Sequence, residues 1–277
     1  TGRRDRSDRR DVLRDVVYAH QVGAALGRDS RRRHRRVATP VGIAVDLGEH
    51  RLVRVADEHR TAERPELADA VEYLLIGGDM VEGVGVYPGQ DEELDVVDVY
   101  EQYEAFNERL KAVPGDLEVV MIPGNHDAVR LAEPQPGFEE ELRDIMRAHD
   151  AQIVSNPATV AVEGVDVLMY HGVSLDEVIA EHPDDRVAYD HPDEAMAQLL
   201  KKRHVAPQYG GRMRVAPEER DYLVIDDVPD VFHTGHVHKL GIGGYHNVRL
   251  INSGCWQEQT AFQRSVNIDP DVGTAPI

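Results

Sequence analysis

With 277 residues the chain suits one large domain, or one domain plus an appendage, and its formal charge of −20 with a pI near 5.0 argues against tight unaided binding to nucleic acid. A single cysteine, Cys255, excludes an internal disulfide and fits a reducing, cytoplasmic setting. No run approaches ~18 apolar residues, so no membrane-spanning helix is expected.

The charge is unevenly spread. Residues 1–64 hold 16 Arg, no Lys and 10 acids, a net of +6, whereas residues 65–277 hold 15 bases against 41 acids, a net of −26. Only four lysines occur in the whole chain. A carboxylate-dense, Lys-poor surface suits a halophile's cytoplasm, where molar salt screens the repulsion. The runs Arg3-Arg4-Asp5-Arg6, Arg9-Arg10 and Arg31-Arg32-Arg33-His34-Arg35-Arg36 hold no sustained helical or strand period. They flank no apolar core stretch, so the segment does not read as a signal peptide. Residues 41–46 and 51–56 read as short strands. Three readings stand for residues 1–64: a basic arm for nucleic acid, a disordered tail, or an out-of-frame reading of GC-rich coding DNA. We favour the last. The chain is thus divided into 1–64, an Arg-rich segment that is disordered or not genuine, and 65–277, a folded domain.

From Ala68 the pattern turns regular. Residues 73–76 form an apolar run that ends in Gly77-Gly78-Asp79. An acidic loop follows at 91–95. Val99, Tyr103, Phe106, Leu110 and Val113 stand at alternating four- and three-residue steps, one apolar helix face. Its aromatics belong to a core rather than to a base-stacking platform. Residues 117–122 read as a buried strand stopped by Pro123-Gly124, and the turn presents Asn125, His126 and Asp127. Residues 138–149 predict a helix that buries Leu142, Ile145 and Met146. Runs at 159–162 and 165–170 flank Glu163-Gly164, a hairpin signal, and the second run ends in His171-Gly172. Ser174 with Glu177 predicts a capping box, and residues 192–203 a helix with Met196, Leu199 and Leu200 inward. Short strands are expected at 223–225, 231–233, 241–245 and 248–251, with Gly235-His236-Val237-His238 after the second. Strands with intervening helices, then a strand-rich end, predict an α/β fold, a two-sheet α/β sandwich without repeats.

Four apolar runs therefore end in glycine beside an oxygen or imidazole ligand. In open α/β sheets, ligands gather at the strands' C-terminal edge. Carboxylate, amide and imidazole donors without thiolate suit Mn²⁺, Mg²⁺, Fe or Zn²⁺. His204, His233 and His246 read as surface or supporting residues.

The order Gly-Asp, Gly-Asn-His-Asp, His-Gly, Gly-His-Val-His resembles the calcineurin-like metallophosphoesterases, which carry two metal ions. More specific stretches run from Gly78 to Gln90, which includes Tyr87-Pro88-Gly89-Gln90, and from Pro123 to Arg130 with Glu133-Pro134-Gln135-Pro136. Others are Lys202 to Pro207, Val228-Pro229-Asp230 and Asn252 to Gln257. From about Val71 onward these resemble the small subunits of archaeal family-D replicative DNA polymerases. The resemblance implies a 3′–5′ exonuclease with two divalent ions, Mn²⁺ or Mg²⁺, and two partners: a large polymerase subunit and the 3′ end of a DNA primer. It implies that Asp79 bridges the ions, that Asn125, His171 and His236 complete one site, and that His238 contributes to the other. His126 would be the unligated imidazole near the leaving oxygen, with Asp127 orienting it. The superfamily adds an Asp-x-His pair at the end of a first strand. Asp57-Glu58-His59 fits the bare pattern, but no clean apolar strand precedes it, no glycine follows, and it lies only 22 residues before Asp79. Two alternatives to the exonuclease stay open: a non-catalytic scaffold subunit with an incomplete metal site, and a free-standing phosphoesterase.

Overall fold

The computed structural model describes residues 71–276 except positions 93, 112, 209, 210, 258, 266 and 274, together with the backbone of three earlier strands. Asp57 and His59 lie outside the described residues, as do the Arg-rich runs. In chain order the elements begin with β1 (Val16–Ala19), β2 (Gly42–Leu47), β3 (Arg51–Ala56), β4 (Tyr73–Ile76), α1 (Val99–Leu110) and β5 (Glu118–Met121). Next come α2 (Glu140–Ile145), β6 (Gln152–Ile153), β7 (Ala158–Val162), β8 (Val165–Met169), α3 (Leu175–Glu181) and α4 (Pro192–Lys202). β9 (Val231–Thr234), β10 (Gly241–Tyr245), β11 (Val248–Asn252), α5 (Ala261–Ser265) and β12 (Ala275–Pro276) close the chain.

Two sheets carry the fold. One is parallel, in the order β1-β4-β5-β6; the other is mixed, in the order β10-β11-β9-β8-β7, with antiparallel hairpins at both edges. The central strands are largely buried on both faces, which is why they read as mostly apolar runs rather than as alternating ones. Leu75, Val120 and Ile122 of the first sheet meet Val167, Met169 and Val231 of the second between the sheets. Their sequence neighbours Leu74, Ile76, Val119 and Met121 turn the other way, onto Tyr103, Phe106 and Leu110 of α1. On the far face of the second sheet, Leu168, Phe232 and Leu250 pack on Met196, Leu199 and Leu200 of α4. Burying each such side chain contributes roughly 1.5–3 kcal/mol relative to exposure. The two-sheet α/β sandwich is the architecture.

Several local expectations differ from the structure. The helix expected over 138–149 shrinks to α2, because Met146 leaves helical geometry and His149 takes a φ of 64°. Ser174 makes no capping box: its hydroxyl donates to the Val205 carbonyl, while the Glu177 carboxylate accepts from the Met213 N–H. Residues 223–225 form only an isolated bridge, His204 opposite Val224. No strand was expected before residue 41, yet β1 pairs with β4 in parallel register, Val16 opposite Tyr73 and Ala19 opposite Ile76. β3 directly precedes Asp57, but it pairs antiparallel with β2 and β12 rather than joining the sheet that carries Asp79.

Candidate metal centre

Asp79 follows the end of β4, Asn125 the end of β5, His171 the end of β8 and His236 the end of β9. Donor atoms of Asp79, His171 and His236 lie within 4.8 Å of one another. Asn125 Oδ1 is 2.8 Å from His171 Nε2, and Asp79 Oδ2 is 3.4 Å from the same nitrogen. The other ring nitrogen, Nδ1, stands 2.9 Å from the Gly77 carbonyl, which only accepts, so Nδ1 carries the proton. Nε2 of a neutral His171 then aims a lone pair at two oxygens that also accept. Such a cluster is unfavourable in a dry pocket unless a proton or a cation sits among its atoms. Burial pushes the His171 pKa down, but the Asp79 carboxylate and the hydrogen bonds raise it overall. A divalent cation answers the same need with the oxygen and imidazole donors it prefers. The residues present fit the metal.

His236 is held from behind. Its Nε2 lies 3.1 Å from Asp176 Oδ2, so a metal bound to this imidazole would take Nδ1. Burial alone would raise the Asp176 pKa, yet the His236 charge and the bonds from His236 and Tyr189 bring it below the usual range. The His171 and His236 rings meet edge to face with centroids 5.2 Å apart. Asp79, His236 and His238 adopt φ of 55°, 65° and 58°, a region that side-chain-bearing residues rarely occupy. Each such residue costs about 1–3 kcal/mol, which the surrounding bonds must offset. Gly124 is required: a Cβ there would strike the Asp79 carboxylate and the His171 ring.

Asp127 does not orient His126 as expected. Its carboxylate accepts from the N–H groups of Asp79 (2.8 Å), Met80 (3.1 Å) and Gly124 (2.8 Å) and from the Tyr103 hydroxyl (2.9 Å). The side chain is therefore turned inward, where it ties the β4 turn to the β5 turn. Burial and the Asp79 charge push its pKa up, to about 7, against the Gly124 and Tyr103 donors. The His126 ring is held instead by the Glu82 carbonyl, 2.8 Å from Nδ1, and the His126 N–H donates to Asp79 Oδ1 at 2.8 Å. A carbonyl partner fixes the proton on Nδ1 and leaves Nε2 as the ring's acceptor.

His238 is not one of the three residues whose donor atoms lie within 4.8 Å of one another. It is buried, and its Nδ1 lies 2.6 Å from Gln263 Nε2. His204 pairs with Asp221, His233 lies 3.2 Å from the Ser253 hydroxyl, and His246 packs against Tyr245. None of these three joins the cluster.

A family model for the DNA polymerase alpha/epsilon B subunit matches residues 80–240. The chain belongs to that family. The matched stretch takes in Asn125, His126, Asp127, His171, His236 and His238. A DNA polymerase II small subunit of Halobacterium salinarum is 77% identical over 210 residues, covering 76% of this chain and 41% of that protein. The protein of that description from Archaeoglobus fulgidus is 49% identical over 211 residues, 76% of this chain and 43% of that one. The chain thus spans about two-fifths of the length of these relatives. Among solved structures, a novel archaeal phosphodiesterase is 13% identical and covers 70% of this chain and 74% of its own, with a TM-score of 0.34, too slight a likeness to bear on function.

Four supporting groups escaped the sequence reading: the Gly77 and Glu82 carbonyls, Tyr103 and Asp176. Backbone carbonyls leave no trace in a sequence. Tyr103 showed only its helical period, and Asp176 is an ordinary acid in the first turn of α3.

Proposed function

We propose that this chain is the phosphoesterase domain of the small subunit of an archaeal replicative DNA polymerase, a metal-dependent 3′–5′ exonuclease that trims mismatched primer ends. The observation that carries the reading is the convergence of acceptor atoms from Asp79, Asn125, His171 and His236, with His126 bonded to Asp79 beside them. Those four residues would hold one divalent ion, Mn²⁺ or Mg²⁺, and Asp79 with His238 would contribute to a second. Bound there, such ions supply Lewis-acid stabilisation of a phosphate oxygen and a water of lowered pKa. His126, with its Nδ1 proton committed to Glu82, presents Nε2 to the leaving 3′-oxygen and, when protonated, gives it a proton as the bond breaks. Asp127 holds the Asp79 and Asn125 turns in fixed relation while that happens. The net charge of −26 over residues 65–277 repels DNA, so a more basic large subunit delivers the primer end.

One observation favours a second reading. His238 is not among the residues whose donor atoms cluster, and its Nδ1 lies 2.6 Å from Gln263 Nε2. A chain with one ion would then serve the large subunit as a scaffold without chemistry. Incubation with Mn²⁺ and a 3′-labelled mismatched primer separates the two. The nuclease releases single nucleotides, and release stops with EDTA or in Asp79→Ala. A chain that binds Mn²⁺ yet releases nothing, by itself or with its large subunit, is the scaffold.

A further inference from the structure

Glu133-Pro134-Gln135-Pro136 follows the Asn125 turn, and the chemistry above does not use it. Gln135 is 1% exposed and Asn156 0% exposed, so each must satisfy its amide within the protein. Gln135 Nε2 donates to the carbonyls of Gly124 (3.1 Å) and Arg130 (3.0 Å). Gln135 Oε1 accepts from Asn156 Nδ2 at 2.7 Å. Asn156 Oδ1 in turn accepts from the His171 N–H at 2.9 Å. Both backbones join in, Gln135 N–H to the Asn156 carbonyl at 2.7 Å and Asn156 N–H to the Gln135 carbonyl at 3.0 Å.

The result is one unbroken line: Gly124 carbonyl, Gln135, Asn156, His171 N–H. Its ends lie beside Asn125 and at His171, two residues whose side chains meet at 2.8 Å. Those residues grow from different sheets, Asn125 after β5 and His171 after β8. The strands themselves meet through apolar packing, Leu75, Val120 and Ile122 against Val167, Met169 and Val231. Apolar packing is non-directional, and it does not by itself set a separation to the ~0.5 Å that a metal site demands. A line of short, directional bonds does. Asn and Gln pair a donor with an acceptor on one uncharged, planar amide whose state does not change with pH, which is what a relay of this kind needs.

We propose that Gln135 and Asn156 are positioning residues, an amide bridge that sets the spacing of Asn125 and His171 across the two sheets and so tunes the affinity of the metal centre. This rests on the reading of that cluster as a metal centre.

The test uses the full 277-residue chain. Mn²⁺ is titrated calorimetrically into the unsubstituted protein, into Gln135→Met, which keeps the shape without the bonds, and into Leu199→Ala. The last opens a cavity under α4, away from the site, and controls for simple destabilisation. We expect Gln135→Met to weaken the tight ion by about 10–100-fold, the usual effect of losing a group that supports a ligand. Leu199→Ala should leave Mn²⁺ affinity unchanged. Asn156→Ala added to Gln135→Met should weaken binding little further, since the two act in series. Affinity in Gln135→Met within twofold of the unsubstituted chain would overturn the proposal. A second measurement needs no variant: NMR coupling across the bond from the His171 amide to the Asn156 side-chain carbonyl should be present, and its absence overturns the bridge. If the unsubstituted chain binds no Mn²⁺, the metal-centre reading fails, and the coupling still judges the bridge.

Discussion

The side chains of Asp79, Asn125, His171 and His236 gather beyond the ends of four buried strands, whereas His238, on the same turn as His236, meets Gln263. The first group inherits its geometry from strand register. Once β4 lies beside β5 and β8 beside β9, the turns that follow them have little choice of place, and Asp127 and the Gln135–Asn156 pair remove what choice remains. On the proposed reading the second half would take further ligands from a separate segment, and the candidates Asp57 and His59 lie outside the described residues. A ligand at a strand end is positioned by the sheet; one that needs a distant partner is positioned by that partner.

The largest expected effect tests the assembled half. Asp79→Ala should abolish tight Mn²⁺ binding in calorimetry and reduce primer hydrolysis to background, because Asp79 belongs to both halves. A tight ion retained in that variant would break the contrast outright. Next comes His126→Ala, which should lower turnover by ~10²–10⁴, the usual share of a general acid, with Mn²⁺ affinity little changed. Loss of the metal instead would make His126 a ligand.

The contrast itself predicts stoichiometry: one tight ion per chain and a second held much more loosely. His238→Ala should remove only the loose one. Two tight sites, reduced to one by Asp57→Ala or His59→Ala, would show that Asp57-Glu58-His59 supplies the missing pair and that the N-terminal segment is genuine.

The smallest effect concerns a carboxyl next to the amide bridge. Asp127 has four donors, but Glu133, 1% exposed, has no hydrogen-bond partner at ordinary distance for either oxygen. Burial pushes its pKa up to about 8, against the lowering effects of Tyr170, His236 and Asn156. The native state therefore keeps a proton that the unfolded chain gives up near ~4.3, so stability is lost as pH rises from there towards 8. Glu133→Gln should raise the thermal midpoint at pH 8, at roughly 2–4 °C per kcal/mol recovered, and leave it unchanged at pH 4. Equal effects at both pH values would mean that Glu133 is ionised in the fold.

The sequence by itself determined the strands that matter and the ligand types at their ends. β4, β5, β8 and β9 are packed on both faces, so each is apolar over most of its length, and such runs are visible without a structure. The glycines that follow mark where the chain turns, and Asp79, Asn125, His171 and His236 stand at those turns. Only the tertiary structure decided what each polar group does there. β1 is four residues long, too short for a period to show, and is recognised by its register with β4. Ser174 carries the letters of a cap, but the approach of Val205 claims its hydroxyl. Asp127 and His126 are adjacent in sequence, yet one carboxylate gathers the turns after β4 and β5 while the Glu82 carbonyl, further along the first of those turns, holds the ring. Gln135 and Asn156 are 21 positions apart and belong to no common element. The reason is physical: hydrophobic period is a local property of the chain, whereas the partner of a buried polar atom is set by which turns the packed sheets bring within ~3 Å of it.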